Sequence, residues 1–355
     1  MNKRAEVIAF YLPQFHQIPE NDRWWGQGFT EWTNVKKSKP LFNDHYQPRI
    51  PGKLGYYDLI KESEIQQQQA LLAQENGLAA FCYWHYWFGN DKKLLEKPLQ
   101  NFINSAKPDF PLCLAWANES WSGIWHGVPD KILMRQEYPG IKDHENHFYD
   151  LLNAFADSRY YKVGGKNLFA IYKPYKIPDL AQFIDCWQNL AVKNNVPNFY
   201  FLGISRYPTP ELIASGMDGF ILSREYFSKQ LKKRYFHQLM FNRLLGRPLR
   251  TIDYKTISRH FILNKNFSYP AYPVIINDWD STPRLGDRGI IYRNATPQLY
   301  RIQVKKALNV LYKHNQEHKL LFARAWNEWA EGNYLEPDEK WGNAYLKVIK
   351  DEIVI

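Results

Sequence analysis

Leu320-Leu321-Phe322-Ala323-Arg324-Ala325-Trp326-Asn327-Glu328-Trp329-Ala330-Glu331-Gly332, followed shortly by Glu336-Pro337, is the stretch that decides how this 355-residue chain folds. A short apolar run enters a polar and aromatic cluster carrying the carboxylates Glu328, Glu331 and Glu336. Working outward, seven earlier short apolar runs precede it: Val7–Leu12, Ala79–Phe88, Phe110–Asn118, Asn167–Lys173, Phe199–Ser205, Gly219–Glu225 and Tyr272–Asp280, with Leu320–Trp329 as the eighth. Helical patterns separate them at Asp58–Glu75, Lys93–Ala106, Asp143–Ala156, Asp179–Lys193, Pro210–Ser215 and Gln298–His314, and a last one lies at Asn343–Glu352. Asp58, Asp179 and Thr296 stand where helix N-caps belong, and Pro210 and Pro297 suit first helical turns.

Eight strands in βα alternation predict an α/β fold, a single (β/α)₈ barrel domain over 1–355. The rival is a doubly wound sheet, which usually opens on a glycine-rich first turn. Here that turn reads Pro13-Gln14-Phe15-His16, and Gly164-Gly165-Lys166 precedes a strand, so it is a tight turn and not a phosphate loop. In a barrel all strand C-termini face one pocket, which matches the polar and aromatic clusters ending strands two, three, seven and eight. Two connections are long: 13–57 after strand one, and a basic insertion at about 226–271 after strand six.

The composition is globular, with 45% hydrophobic and 23% charged residues and an aromatic share of 16%. The net charge of +10 is local: between Lys229 and Lys265 stand Lys229, Lys232, Lys233, Arg234, Arg243, Arg247, Arg250, Lys255, Arg259 and Lys265, against the single acid Asp253. Such a patch meets an anionic glycan, a lipid-linked carrier or a membrane surface, or is simply a solvated face. Nucleic acid is not expected as a partner, because no recognition motif accompanies the charge. Three cysteines cannot all pair; Cys82 and Cys113 sit in apolar runs and read as small buried hydrophobes. That expects a reducing, cytoplasmic setting, peripheral to the inner membrane if 229–265 makes that contact. No apolar run reaches spanning length and no export signal is visible.

Three carboxylates at a barrel mouth repel one another, and a partly buried one tends to keep its proton. Glycosidases use such a set: one carboxyl protonated as acid, the other ionised as base or nucleophile. The bland alternative is strand-end carboxylates bound to Arg324 or Arg284. Around Glu328 and Glu331 the candidates for substrate contact are Trp326, Asn327 and Glu336; Asp278, Trp279, Asp280 and Arg284; and Trp84, His85 and Tyr86. Strand three contributes Trp116, Asn118, Glu119 and Trp121, strand four Lys173, strand one and its loop Tyr11, His16, Glu31 and Trp32. Amides bind hydroxyls and indoles stack on sugar C–H faces. Along strand two, one face carries Trp84, Tyr86 and Phe88 and the other Tyr83, His85 and Trp87, so His85 is either a site residue or a core histidine. Asp278-Trp279-Asp280 is a weak metal–nucleotide signal, and an Asp pair bound to Arg284 or to hydroxyls is the plainer reading. No zinc spacing occurs, and no metal or cofactor is expected. Tyr207 also stands within reach of the mouth.

Phe10-Tyr11-Leu12-Pro13-Gln14-Phe15-His16, Gly28-Phe29-Thr30-Glu31-Trp32, Trp116-Ala117-Asn118-Glu119 and Trp326-Asn327-Glu328-Trp329-Ala330-Glu331-Gly332, in that order, resemble the WbsX family. Its members are labelled glycosyltransferases of surface-polysaccharide gene sets, and it is similar in turn to glycoside hydrolase family 99, the endo-α-mannosidases. The resemblance implies a (β/α)₈ barrel acting on an oligosaccharide or polysaccharide with retention through a 1,2-anhydro sugar. It implies Glu328 as the base on a 2-hydroxyl and Glu331 as the acid. A glycosyltransferase using a sugar donor is the competing expectation, and a non-catalytic carbohydrate-binding barrel is a third.

Overall fold

The computed structural model describes residues 2–62, 64–123, 128–205, 209–222, 236–237, 240–241, 244, 250–314 and 316–355. Eight apolar runs form parallel strands: β1 (Glu6–Tyr11), β2 (Leu78–Trp87), β3 (Leu112–Trp116), β4 (Lys166–Ile171), β5 (Phe199–Ser205), β6 (Gly219–Leu222), β7 (Ala271–Ile276) and β8 (Leu320–Arg324). Each pairs with the next, from Cys82 opposite Cys113 in β2 and β3 to Val274 opposite Phe322 in β7 and β8. Pairing of β1 with both β8 (Glu6 opposite Leu320) and β2 (Phe10 opposite Cys82) closes the ring. This is the (β/α)₈ barrel. Both faces of each strand are covered, which is why the strands read as near-continuous apolar runs and not as alternating ones.

The outer layer contains α3 (Ile65–Glu75), α4 (Lys97–Asn104), α5 (Ile141–Ala156), α6 (Leu180–Lys193), α7 (Pro210–Ala214), α8 (Tyr254–His260), α10 (Pro297–Lys313) and α11 (Ala344–Ile353). The Thr296 hydroxyl caps α10 by accepting from the Leu299 N–H at 3.3 Å. Asp179 precedes α6 but makes no cap bond; its carboxylate meets His144 at 3.0 Å instead. Two helices start later than expected. Asp58–Glu75 becomes α3 from Ile65, and Lys93–Ala106 becomes α4 from Lys97, because Lys93–Leu94 pairs antiparallel with the end of β2.

The connection after β1 folds into α1 (Pro19–Trp25) and α2 (Glu31–Lys37). The expected insertion after β6 is partly regular: Arg250–Asp253 pairs in parallel with Ile290–Arg293, and α8 follows. Tyr254 in α8 is buried and donates its hydroxyl to the Ile276 carbonyl at 2.5 Å. Lys229, Lys232, Lys233, Arg234, Arg243 and Arg247 lie outside the described residues, as do Glu225 and Tyr207. Cys82 and Cys113 are free and buried in the strands, and Cys186 is free on α6. Among the described residues no helix is long and apolar enough to cross a membrane.

Candidate active site

The motif that opened the sequence does not continue β8 to Trp329, as its apolar start predicts. The strand ends at Arg324, and the chain folds into a small hairpin in which Asn327–Glu328 pairs antiparallel with Asn333–Tyr334. Between them Trp329–Glu331 makes one 3₁₀ turn, which sets Glu328 and Glu331 on the same side. Gly332 closes the turn at φ 61°, and a Cβ there would fall 2.8 Å from the Asp280 backbone nitrogen. Only glycine fits such a position. The Asp280 N–H donates to the Glu331 carbonyl at 2.7 Å, fixing this turn to the end of β7.

Arg284, on the short helix α9 (Thr282–Leu285), gathers three carboxylates. Its Nη1 donates to Glu331 Oε1 at 2.7 Å, its Nη2 donates to Glu31 Oε1 at 2.6 Å, and the same Nη2 lies 3.8 Å from Glu328 Oε2. Arg324 adds a second cation, 3.4 Å from Glu331 Oε2, and its guanidinium lies 4.7 Å from the Trp279 ring centre. Glu331 is therefore held by two arginines, whereas the Arg284 contact to Glu328 is the longer one. Burial, and then the charge of Glu331, push the Glu328 carboxyl up to about 8 against the pull of Arg284 and Arg324. A carboxyl in that state keeps its proton at neutral pH.

Strand two divides as its alternation allows, and the structure decides which face is which. Trp84 points to the mouth, half-buried, stacked on Phe10 at 5.0 Å and 13° and edge-on to Tyr172 at 5.8 Å. Tyr86 lies near the carboxylates, and burial followed by the Glu328 charge raises its phenol well above the usual range. Trp121 meets Tyr86 edge-on at 5.2 Å, and with Trp279 it is one of the half-buried indoles at the mouth. His85 faces the helices, 2.8 Å from His147 on α5, and burial, then Lys93, pull it down to about 3. It packs as a core histidine between β2 and α5.

Several other predicted contacts sit behind the mouth. Trp326, Trp116 and Trp32 are buried and offer no open face; Trp116 donates to the Trp87 carbonyl at 2.8 Å and Trp32 to the Tyr57 carbonyl at 2.8 Å. Tyr11 donates to Gln69 Oε1 at 2.7 Å, on the helix side, and His16 is buried with its Nδ1 3.0 Å from the Pro13 carbonyl. Asn327 clamps Leu12 from both sides, accepting from its N–H at 2.7 Å and donating to its carbonyl at 3.0 Å. Asn118 does the same for Lys173, and the Lys173 ammonium pairs with Glu119. Glu336 is buried among donors, Trp329 at 2.6 Å, Gln69 at 2.7 Å and Tyr57 at 3.0 Å, and burial still pushes it up to about 7. The buried ones among these residues fix the mouth from behind, whereas Lys173 and Glu119 stay partly exposed beside it.

Asp278 and Asp280 are bound not to Arg284 but to groups from the first long connection. Arg49 reaches Asp278 at 2.9 Å, and Asp280 Oδ2 accepts from Gln47 at 2.7 Å and lies 2.8 Å from His45. Its other oxygen accepts from the Thr282 hydroxyl and N–H at 2.6 and 3.0 Å. Among the described residues no group of three or more His, Cys, Asp or Glu side chains could hold a metal ion. Arg49, His45, Gln47, Tyr57 and Gln69 carry these contacts without any local sequence signal. A cleft of about 950 Å³ opens over the ends of β4 and β5, lined by Tyr172, Lys173, Ile204 and Ser205. Tyr172, which touches Trp84, joins it to the mouth.

A family model described as glycosyltransferase WbsX matches residues 7–349. The protein WxcX of Xanthomonas campestris pv. campestris, described as uncharacterized, is 34% identical over 350 residues, covering 98% of this chain and 50% of its own length. The chain thus spans about half the length of the curated relatives it matches. Among solved structures, a glycoside hydrolase-like protein superposes with a TM-score of 0.61 at 14% identity, over 99% of this chain and 94% of its own. A glycoside hydrolase family 99 endo-α-mannosidase from Bacteroides thetaiotaomicron, in complex with Bis-Tris propane, gives 0.58 at 15% identity, over 98% and 96%. At these identities the two structures establish a shared barrel fold.

Proposed function

The chain belongs to the WbsX glycosyltransferase family, a family of carbohydrate-active enzymes, and on that premise we propose that it acts on glycosidic bonds of a bacterial surface polysaccharide as a retaining endo-glycosidase or transglycosylase. The observation that carries this reading is the cluster of Glu31, Glu328 and Glu331 on Arg284 at the barrel mouth, with Glu328 driven to keep its proton and Glu331 held by two arginines. A carboxyl that keeps its proton beside a second carboxyl bound by two arginines suits the division of labour that glycoside cleavage uses. Trp84, Trp121 and Trp279 offer apolar faces for sugar rings around it.

In the proposed reaction one carboxylate takes the proton of the sugar 2-hydroxyl as O2 attacks C1. The other carboxyl gives its proton to the departing glycosidic oxygen, and the C1–O bond breaks. Water or an acceptor hydroxyl then opens the 1,2-anhydro ring at C1, losing its proton to the second carboxylate while the first returns a proton to O2. The resemblance implies Glu328 as base and Glu331 as acid. The electrostatics favours the exchange of these roles, because burial and the neighbouring carboxylate drive Glu328 to keep its proton, while Arg284 and Arg324 contact Glu331. We carry both assignments to the test below.

A screen of defined α-linked oligosaccharides, with the first product anomer followed by NMR, tests the reaction class. Retention supports this reading, and inversion overturns the anhydro route. A glycosyltransferase using a sugar donor is the second reading, supported by the family description. It predicts thermal stabilisation by a nucleotide sugar, and the engagement of Asp278 and Asp280 by Arg49, Gln47 and His45 predicts that Mn²⁺ adds nothing. The free cysteines suit a cytoplasmic setting, where the substrate would be an anionic or lipid-linked glycan at the inner membrane.

A further inference from the structure

Tyr175 is 61% exposed, more than any other described tyrosine, and among the described residues it makes no ring, cation or hydrogen-bond contact. It stands on the single turn Pro174–Lys176, between the buried Pro174 and Ile177, at the rim of the cleft over β4 and β5. That cleft runs outward between the start of α6, with Asp179 and Gln182, and α7, with Glu211. Gln182 is exposed, and its amide has no partner among the described residues. At about 950 Å³ the cleft has the size of a ligand site. The ring order sets β4 directly across from β8, four strands away in either direction. Aromatic rings connect the two sides: Tyr172 on the cleft wall meets Trp84 edge-on at 5.8 Å, and Trp84 stacks on Phe10 at 5.0 Å. The Phe10 carbonyl accepts from the Trp326 N–H at 2.7 Å, two residues before Glu328.

We propose that this cleft is a distal subsite for uncharged sugar units of the glycan, with Tyr175 stacking on a ring and Gln182 bonding hydroxyls. Sugars offer C–H faces to aromatic rings and hydroxyls to amides, which is what these walls supply. A phosphate or an acidic sugar fits less well: the charged groups on the described walls are Asp179, Glu211 and Lys173, and the Lys173 ammonium is already paired with Glu119. An acyl chain would strip water from the Gln182 amide and return no hydrogen bond. Affinity then grows with chain length, because the distal units make contacts that a disaccharide at the carboxylates cannot reach. The class of ligand rests on the reading above, but the test needs no turnover, so the failure of one is distinguishable from the failure of the other.

The test is calorimetric titration of the full chain, carrying Glu328→Gln to suppress turnover, with disaccharides and hexasaccharides of α-linked mannose, glucose, galactose and rhamnose. At least one series is expected to bind, its hexasaccharide about tenfold or more tighter than its disaccharide. Adding Tyr175→Ala should weaken the hexasaccharide about three- to tenfold and the disaccharide less. Tyr175→Phe should keep most of the affinity, because the ring carries the stacking. Gln182→Ala is an independent second variant, expected to cost the hexasaccharide about two- to fivefold. Both side chains are exposed, so an unchanged melting temperature certifies the fold. Hexasaccharides that bind no tighter than disaccharides overturn the proposal, as does a gain with length that neither substitution reduces, an equal loss at both lengths, or binding of no series. Length-dependent binding that Tyr175→Ala reduces, with no product formed by the parent chain, keeps the subsite and removes the glycosidase reading instead.

Discussion

Glu31 Oε1 accepts a hydrogen bond from Arg284 Nη2 at 2.6 Å, joining the connection after β1 to the helix after β7. The same oxygen accepts the Ala330 N–H at 3.2 Å, inside the turn that carries Glu328 and Glu331. Glu31 is only 1% exposed, and its contacts fix where Arg284 and the turn stand.

Glu31→Gln keeps the shape and removes the charge. One like charge beside Glu328 disappears, so the Glu328 carboxyl should lose its proton at lower pH, since Glu31 is among the groups that raise it. The expected result is a fall in kcat of roughly 10- to 100-fold with KM nearly unchanged, and an acidic shift of the corresponding limb of the pH–rate profile. Glu31→Asp retains charge but not reach and should restore the limb only in part. A KM effect without a shift in the profile would assign Glu31 to substrate binding instead.

The acid and base roles separate with leaving groups. Replacing the general acid should be nearly harmless for an aryl glycoside whose phenol leaves without a proton, while replacing the base cripples every substrate. If the electrostatics of this site governs, Glu328→Gln recovers on the activated substrate and Glu331→Gln does not, each losing about 10²- to 10⁴-fold on an unactivated bond. The reverse pattern restores the assignment implied by the family resemblance.

Glu328 also makes stability depend on pH. Its carboxyl is raised from an ordinary value near 4.5 to about 8 by burial and by Glu331. The folded state therefore binds a proton the unfolded chain has lost. The contribution is full below about pH 4.5 and disappears as pH rises through 8. Glu336, raised to about 7 by burial, acts in the same direction. Glu328→Gln removes the larger of these terms, so the variant should match the parent near pH 5 and exceed it near pH 9 by on the order of 2 kcal/mol. Urea unfolding at the two pH values measures this, and a difference independent of pH would contradict it.

The strands were legible because a barrel buries both strand faces, so each one announces itself as an apolar run. The carboxylate motif was legible because three acids at one strand end are rare. What was not legible has a common physical cause: the deciding contacts are long-range. Alternation along Tyr83–Phe88 shows that two faces exist, but both are aromatic, and only His147 and Asp143 on α5 reveal that His85 and Trp87 face outward. The premature end of β8 follows from Trp326 N–H bonding the Phe10 carbonyl at 2.7 Å and from Gly332 abutting Asp280. Neither partner is near in sequence.

The partners of Asp278-Trp279-Asp280 illustrate the same point and yield a further test. A DxD triplet suggests a cation, yet Asp280 accepts from Gln47 and Thr282 with His45 beside it, while Arg49 neutralises Asp278. Arg49 and desolvation oppose each other at Asp278, whose carboxyl is raised by its burial; at Asp280 the contacts with His45, Arg49 and Thr282 outweigh burial and lower it. Asp280 thus binds the first connection to the turn bearing Glu331, through side chain and backbone at once. Asp280→Asn should cost about 2–4 kcal/mol in stability by leaving buried donors unmatched. Activity should fall with it, since Glu331 loses its support. Chelation by EDTA should change neither the parent nor the variant, and addition of Mn²⁺ should not rescue Asp280→Asn. A metal-dependent rise in melting temperature that the substitution abolishes would make the triplet a cation site after all.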